Sequence, residues 1–226
     1  MTTDTNPVIT IDGPVGSGKS TLGRMLAERL NILYLDTGAM YRAVGLAARN
    51  QDIATDDDAT LGRLCTQIRI TFTREDDRQH VFLDGIDITD DIRLPEVSML
   101  ASAVSAQPSV RKALVAQQRA CAKGGLVADG RDAGTVIFPE APFKFYLDAS
   151  VEVRARRRYK ELIDKNITIE YTALLQEIEQ RDHNDTTRLH APLKPAPDAV
   201  IIDTSQMTIE DVLASMETQI ERNRLL

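Results

Sequence analysis

A lysine and two hydroxyl side chains follow three closely spaced glycines near the N-terminus. The stretch Gly13–Thr21 reads G-P-V-G-S-G-K-S-T and contains the pattern G-x-x-x-x-G-K-[ST]. Glycines let backbone N–H groups approach phosphate oxygens closely, because no side chain stands in the way. In this pattern Lys19 reaches the outer phosphates of a nucleoside triphosphate, and the Ser20 hydroxyl binds Mg²⁺. The stretch therefore predicts a triphosphate-binding loop, and a chance glycine-rich turn is the alternative.

The segments on either side of this stretch are those that a phosphate-binding loop requires. Before it, β-branched apolar residues predict a buried strand: Val8, Ile9 and Ile11. After it, apolar residues recur at helical spacing: Leu22, Met25, Leu26 and Leu30. Such a helix directs its positive N-terminal end at the loop. We expect the whole loop to bind the phosphates of a nucleoside triphosphate: Gly13, Pro14, Val15, Gly16, Ser17, Gly18, Lys19, Ser20 and Thr21.

Charged and polar residues also follow two later strand patterns. Asp36-Thr37-Gly38 follows the apolar run Ile32–Leu35, and Asp129-Gly130-Arg131-Asp132 follows the run 125–128. Open α/β sheets place ligand-binding groups at the carboxyl ends of their strands. For Asp36 and Thr37, the alternative is that they cap the helix predicted over 39–48.

One dense run of arginines lies in the C-terminal half of the chain. Four lie within the five residues 154–158, on a helix predicted over 151–163. Arg154, Arg157 and Arg158 share one helical face, which suits an anionic partner. Pairing with neighbouring carboxylates on a wet surface is an equal alternative. Arg181, Asp185 and Arg188 follow at spacings of four and three residues, so one helical face could present all of them.

Composition excludes several classes of protein. The 226 residues carry a net charge of −7, which argues against nucleic acid as the main partner. The two cysteines show no metal-ligand spacing and predict free thiols in a reducing compartment. No apolar stretch approaches the roughly 20 residues of a membrane span, and the N-terminus lacks a signal-peptide pattern. We therefore expect a cytoplasmic protein.

The pattern of elements predicts an α/β fold. Five buried strands separated by helices favour a parallel, doubly wound sheet. The later strands are predicted over 125–128, 141–147 and 199–202, and further helices over 169–181 and 209–222.

A different pattern interrupts this alternation. Residues 68–73 alternate with period two, and the apolar run 81–83 follows. Asp84-Gly85 predicts a tight turn, after which Ile86 and Ile88 alternate again, so we expect a small antiparallel sheet of about three strands. A helical stretch follows over 94–122, in which Pro108 ends one helix and Ser109 could cap the next. The acidic cluster 52–58 is interpreted as an exposed turn.

The phosphate-binding loop alone does not decide the class of enzyme. Neither N-K-x-D nor T-K-x-D, which a guanine-reading switch requires, occurs in the chain. A small phosphoryl-transfer enzyme fits both the length and the scattered arginines. Another small-acceptor kinase, such as a shikimate kinase, and a nucleotide-dependent switch are the alternatives.

The chain resembles cytidylate kinases of the bacterial type. The resemblance rests on motifs in the order of that family, at 13–21, 36–42, 128–136, 147–150, 154–158 and 181–193. It implies transfer of the γ-phosphoryl group of ATP to CMP or dCMP by an in-line reaction with Mg²⁺. It also implies a monomer.

The resemblance further implies roles for single residues. The catalytic set would be Lys19, Arg131, Arg154 and Arg158, with Ser20 at the metal. Arg42 and Arg131 would bind the acceptor phosphate. The cytosine would contact Ser102, Arg111, Asp132 and Arg188, and the sugar hydroxyls would contact Arg181 and Asp185. Further substrate-binding residues would be Asp36, Thr37, Tyr41 and Asp129.

The same resemblance predicts three structural regions. A P-loop core would combine residues 1–36, 121–153 and 190–226. A monophosphate-binding domain would span 37–120, with the antiparallel insert at about 67–92. Residues 154–189 would form a helical lid.

Overall fold

The computed structural model describes residues 6–75 and 78–224 and divides the chain into two compact units. The second unit contains Asp36–Ala120. The core unit combines the chain up to Leu35 with the chain from Cys121 onward. No helix within the described residues is both long and apolar enough to cross a membrane.

A five-stranded parallel sheet forms the centre of the core unit, as predicted. Its strands are β1 (Val8–Asp12), β2 (Leu33–Asp36), β6 (Leu126–Gly130), β7 (Phe143–Asp148) and β8 (Val200–Asp203), in the spatial order β2-β6-β1-β7-β8. Central strand β1 pairs in parallel with both β6 and β7. Their carboxyl ends therefore lie side by side, with Asp12 in register with Gly130 on β6 and Tyr146 on β7.

In its described residues, the core unit also contains four longer helices. They are α1 (Lys19–Leu30), α6 (Val151–Asp164), α7 (Tyr171–Thr187) and α8 (Ile209–Arg224), with short helical turns at Cys121–Gly124 and Ala133–Ile137. Leu26 of α1 and Met216 of α8 are fully buried in one cluster with Ile9 and Ile11 of β1. Full burial of such a side chain contributes roughly 1.5–3 kcal/mol, so this cluster holds β1 and α1 firmly on either side of the loop that joins them.

The second unit contains the predicted antiparallel sheet and four helices. The sheet consists of β3 (Ile70–Glu75), β4 (Arg78–Leu83) and β5 (Ile86–Asp87), in that spatial order. The helices are α2 (Thr37–Asn50), α3 (Asp58–Gln67), α4 (Pro95–Ser105) and α5 (Pro108–Ala120). Asp84 and Gly85 have φ values of 53° and 85°, which suit the two-residue turn between β4 and β5.

One local prediction in the second unit is wrong, and one helix was not predicted. Helix α3 begins at Asp58, at the end of the acidic cluster that we interpreted as a turn, and Asp57 caps it by accepting the Thr60 N–H. Ser109 does not cap α5, because it lies inside that helix. The Asp58 carboxylate instead accepts the backbone N–H and the hydroxyl of Ser109, both at 2.8 Å. A pattern of neighbouring residues cannot predict a cap that comes from another helix.

Candidate active site

The predicted phosphate-binding loop leaves β1 after Asp12 and enters α1 at Lys19. Gly13 has φ 149°, and a Cβ there would lie 2.0 Å from the Leu147 carbonyl oxygen on β7. Gly16 has φ 77°, and a Cβ there would lie 2.9 Å from the Arg154 carbonyl oxygen. Both positions therefore require glycine, because the loop is packed against β7 and α6. Among the described side chains, none caps the N-terminus of α1 by a hydrogen bond.

The Lys19 ammonium lies inside this loop and is nearly inaccessible to solvent. Its Nζ donates to the Pro14 carbonyl oxygen at 2.6 Å and to Ser17 Oγ at 3.4 Å. Burial holds the pKa of Lys19 well below its usual range, and the positive charge of Arg131 lowers it further. The Asp129 carboxylate opposes these effects only in part. An entering phosphate would remove this imbalance, since it would supply the missing negative charge.

Ser20 and Asp129 form the oxygen-rich edge of the site. The Ser20 hydroxyl donates to Asp129 Oδ2 at 2.6 Å. Ser20 is in the first turn of α1, and Asp129 is near the carboxyl end of β6, which adjoins β1. A hydroxyl beside a carboxylate is the donor set by which P-loop enzymes hold Mg²⁺. Within the described residues, no group of three or more His, Cys, Asp and Glu side chains suits a metal ion, so phosphate oxygens and water would complete its coordination.

Four predicted site residues meet in a buried cluster of alternating charge, here called the arginine–aspartate cluster: Arg131, Asp132, Asp185 and Arg188. Arg131 Nε donates to Asp185 Oδ2 at 2.7 Å. The Arg188 guanidinium lies 3.6 Å from Asp132 Oδ1 and 3.9 Å from Asp185 Oδ1. Asp132 and Asp185 are 3% and 5% exposed, so water screens these charges weakly.

The cluster holds Asp185 ionised. Burial alone would raise the pKa of Asp185, but Arg131 and Arg181 bring it below its ordinary value. Burial likewise opposes the charge on Arg131, but the carboxylates of Asp185, Asp129 and Asp182 together outweigh it, so the pKa of Arg131 is raised. Arg181 lies close enough to lower the pKa of both Lys19 and Asp185. The core unit therefore brings together most of the predicted phosphate and sugar ligands.

The sequence left two interpretations of the arginine run on α6: contact with an anionic partner, or pairing with carboxylates at the surface. Arg154 and Arg158 differ in this respect. Arg154 is buried and bridges three segments: it donates to Val15 O in the loop and to Ala149 O, and it pairs with Asp182 on α7 at 2.7 Å. Arg158 instead makes a partly exposed pair with Glu161 at 2.9 Å. Arg154 thus anchors the phosphate-binding loop, whereas Arg158 forms the kind of surface pair that the sequence offered as the alternative.

The remaining predicted residues belong to the second unit. Asp36 caps α2 by accepting the Ala39 N–H at 2.8 Å, which confirms the capping interpretation. Its other oxygen accepts from Arg42 at 2.6 Å. The Arg111 guanidinium lies 5.6 Å from the ring centre of Tyr41, with both residues buried. Thr37 begins α2 and is buried, and Ser102 lies half-buried in α4.

Sequence reasoning missed two acidic residues of the site. Asp182 was not assigned a partner, although it neutralises Arg154. Asp12 was not singled out, yet it is buried and accepts two backbone hydrogen bonds from residues 133 and 134. A charged residue at the end of an otherwise apolar strand was the available signal for Asp12. No local signal pointed to Asp182.

The sequence is similar to known proteins over most of its length. A family model described as cytidylate kinase matches residues 9–222. A protein named cytidylate kinase from Syntrophotalea carbinolica is 49% identical over 210 residues, which is 92% of this chain and 89% of the relative. One of the same name from Vibrio cholerae is 46% identical over 216 residues, covering 95% and 96% of the two chains.

Solved structures share the fold at much lower identity. A shikimate kinase from Acinetobacter baumannii, in complex with shikimate, is 18% identical with a TM-score of 0.51, over 99% of this chain and 97% of that one. An uncharacterised protein from Eubacterium ventriosum is 11% identical with a TM-score of 0.50, over 96% and 99%. These likenesses concern the fold alone.

Proposed function

Because this chain belongs to the cytidylate kinase family, we propose that it transfers the γ-phosphoryl group of ATP to CMP or dCMP, giving ADP and CDP or dCDP. The relatives that match nearly the whole chain are named cytidylate kinase, and a cytidylate kinase is a nucleoside monophosphate kinase. The chain therefore belongs to this enzyme class. The acceptor and the chemical steps are the proposal.

One observation supports the proposal: two centres that contain cationic side chains lie at the carboxyl ends of adjacent strands. The first is the loop around Lys19, which follows β1. The second is the arginine–aspartate cluster, in which Arg131 directly follows β6. An enzyme that joins two phosphates needs one such centre for each, because the phosphates repel each other in water.

The reaction needs charge stabilisation and no general base. The attacking oxygen belongs to the phosphate of CMP, whose second pKa is about 6, so it is already ionised at neutral pH. Lys19 and Arg131 would stabilise the charge on the moving phosphoryl group. Arg154 and Arg158 would complete this set if residues 154–189 close over the phosphates as a lid. Closure would also exclude water, which otherwise hydrolyses ATP.

Further residues would bind the acceptor. Arg42 and Arg131 would bind its phosphate, and Arg181 and Asp185 its sugar hydroxyls. Asp132 and Arg188 would contact the cytosine, together with Ser102 and Arg111. Asp36, Thr37 and Tyr41 would support this set, since Asp36 orients Arg42 and Tyr41 packs on Arg111. A cytoplasmic location and a monomeric state remain predictions.

A substrate panel tests the proposal. Purified protein is given ATP and Mg²⁺ with one acceptor at a time, and ADP release is followed in a coupled assay. We expect steady turnover with CMP or dCMP, and little with AMP or shikimate. Turnover with shikimate alone would favour another small-acceptor kinase. Slow hydrolysis that ignores every acceptor would favour a nucleotide-dependent switch.

Magnesium dependence tests the role of Ser20 and Asp129. Mg²⁺ held there would neutralise charge on the β- and γ-phosphates. Ser20→Ala removes one oxygen of the donor set, so we expect the Mg²⁺ concentration for half-maximal rate to rise about 10–100-fold. Excess chelator should abolish turnover in both proteins.

Thr218→Ala is the matched control for this variant, since it removes an exposed hydroxyl from α8. It should leave the Mg²⁺ titration unchanged. An identical titration in Ser20→Ala and the unaltered protein would remove Ser20 from the metal site.

A further inference from the structure

Asp12 is a buried carboxylate that the mechanism above does not use. It is the last residue of β1 and is 3% exposed. Its Oδ1 accepts the backbone N–H of Ala133 at 2.8 Å, and its Oδ2 accepts that of Gly134 at 2.7 Å. Both oxygens are thus committed to one short stretch of backbone, 121 and 122 residues further along the chain.

That stretch is the start of a helical turn. The turn Ala133–Ile137 begins immediately after Asp132, and its first N–H groups have no partner inside the turn, as at any helix start. The preceding residue usually supplies the cap. Here the Asp132 side chain makes no capping hydrogen bond and lies 3.6 Å from Arg188 instead. Asp12 therefore caps the turn from a neighbouring strand, while the Asp132 carboxylate lies beside Arg188.

The two residues before the turn are tethered at both ends to Asp12. On one side, Gly130 is the ladder partner of Asp12 in the parallel pairing of β1 and β6. On the other side, Ala133 and Gly134 bind the Asp12 carboxylate. Only Arg131 and Asp132 lie between these anchors, and both belong to the arginine–aspartate cluster.

The space around the turn is equally restricted. A Cβ on Gly134 would lie 2.7 Å from Thr10 Oγ1 on β1, so the turn is pressed against the strand that carries Asp12. Burial raises the pKa of Asp12 to about 7, against the effect of the two N–H donors. The two hydrogen bonds thus hold the turn in one geometry, although burial disfavours the ionised carboxylate.

We propose that Asp12 is a positioning residue for the acceptor side of the site: it holds the 130–134 backbone so that Arg131 and Asp132 reach the nucleoside monophosphate. Since Gly13 follows it directly, Asp12 also joins the ATP-binding loop to the acceptor-binding turn. This inference rests on the proposed function.

The test is Asp12→Asn, which keeps the size of the side chain but has only one acceptor oxygen. The amide NH₂ then faces a backbone N–H, so one of the two hydrogen bonds is lost. We expect KM for CMP to rise about tenfold or more, as the loss of a charge-assisted hydrogen bond implies, while KM for ATP changes less than about twofold. Equal changes in both KM values, or none, in a folded variant would overturn the inference.

A double-variant cycle separates positioning from a general structural effect. If Asp12 acts through Asp132, adding Asp12→Asn to Asp132→Asn should raise KM for CMP little beyond the effect of Asp132→Asn alone. Independent, multiplying effects would contradict the inference. Asp57→Asn is the matched control, because Asp57 is an exposed helix cap where asparagine serves equally well. It should leave all kinetic constants unchanged.

Two further measurements cover the remaining outcomes. If Asp12→Asn does not fold, Gly134→Ala decides, because its methyl group displaces the turn and leaves the carboxylate intact. It should also raise KM for CMP more than KM for ATP, and an unchanged ratio would refute the inference.

The unaltered protein is assayed beside the variants. If it fails to phosphorylate CMP or dCMP, the proposed function falls, whereas an active protein with an unaffected Asp12→Asn variant refutes only the role of Asp12.

Discussion

Lys19→Met should lower kcat about a thousandfold and leave the fold intact. The ammonium is the only part of the side chain that the proposed chemistry uses, and methionine preserves much of the apolar stem. Loss of one donor that stabilises charge in a transition state typically costs about 3–4 kcal/mol of barrier. Because burial and Arg131 disfavour the charged lysine in the unliganded protein, its removal should not destabilise the fold. Single-turnover rates with CMP and thermal unfolding measure the two effects separately.

Lys123→Ala provides the control for Lys19, since Lys123 is exposed in the turn Cys121–Gly124. Its turnover should equal that of the unaltered protein. A Lys19→Met enzyme with a near-normal rate would remove Lys19 from the mechanism.

Arg131→Met should lower both turnover and stability. The guanidinium would no longer stabilise the phosphoryl group, which we expect to reduce kcat about 10²–10³-fold. Asp185 would lose its 2.7 Å partner while remaining 5% exposed. Removing one member of a buried pair costs about 3–5 kcal/mol, and Arg188 at 3.9 Å from Asp185 should keep the loss near the lower figure. Denaturant unfolding and steady-state kinetics measure the two losses.

A second substitution separates these two roles of Arg131. Asp185→Asn added to Arg131→Met removes the uncompensated buried charge, so stability should recover in part while turnover stays low. Recovery of turnover together with stability would mean that Arg131 acts only through the fold. Arg29→Met is the matched control, since it breaks an exposed pair with Glu217 at 2.7 Å, for which about 0.2–1 kcal/mol is expected and no kinetic effect.

Local patterns were sufficient for the elements of the core. Buried strands and the helices between them are encoded by runs and periodicities of neighbouring residues, and the structure places β1, β6 and β8 within a residue or two of their predicted bounds. The same reasoning failed where the pattern was short or mixed. Helix α3 was missed although its buried side chains, Leu61, Leu64 and Cys65, recur at helical spacing, because the helix is short and carries only these three. Helix α7 continues to Thr187, six residues past its predicted end.

The sequence by itself determined the phosphate-binding loop and the family, because G-P-V-G-S-G-K-S-T acts through its own backbone and its own lysine. Only the tertiary structure decided which distant charges meet. Arg131 and Asp185 are 54 residues apart in the chain, and Asp12 is 121 residues from the N–H that it caps. Such pairs depend on the order of the strands and on which groups are buried together. Periodicity describes the neighbourhood of a residue along the chain, and hydrogen bonds between distant segments leave no trace in it.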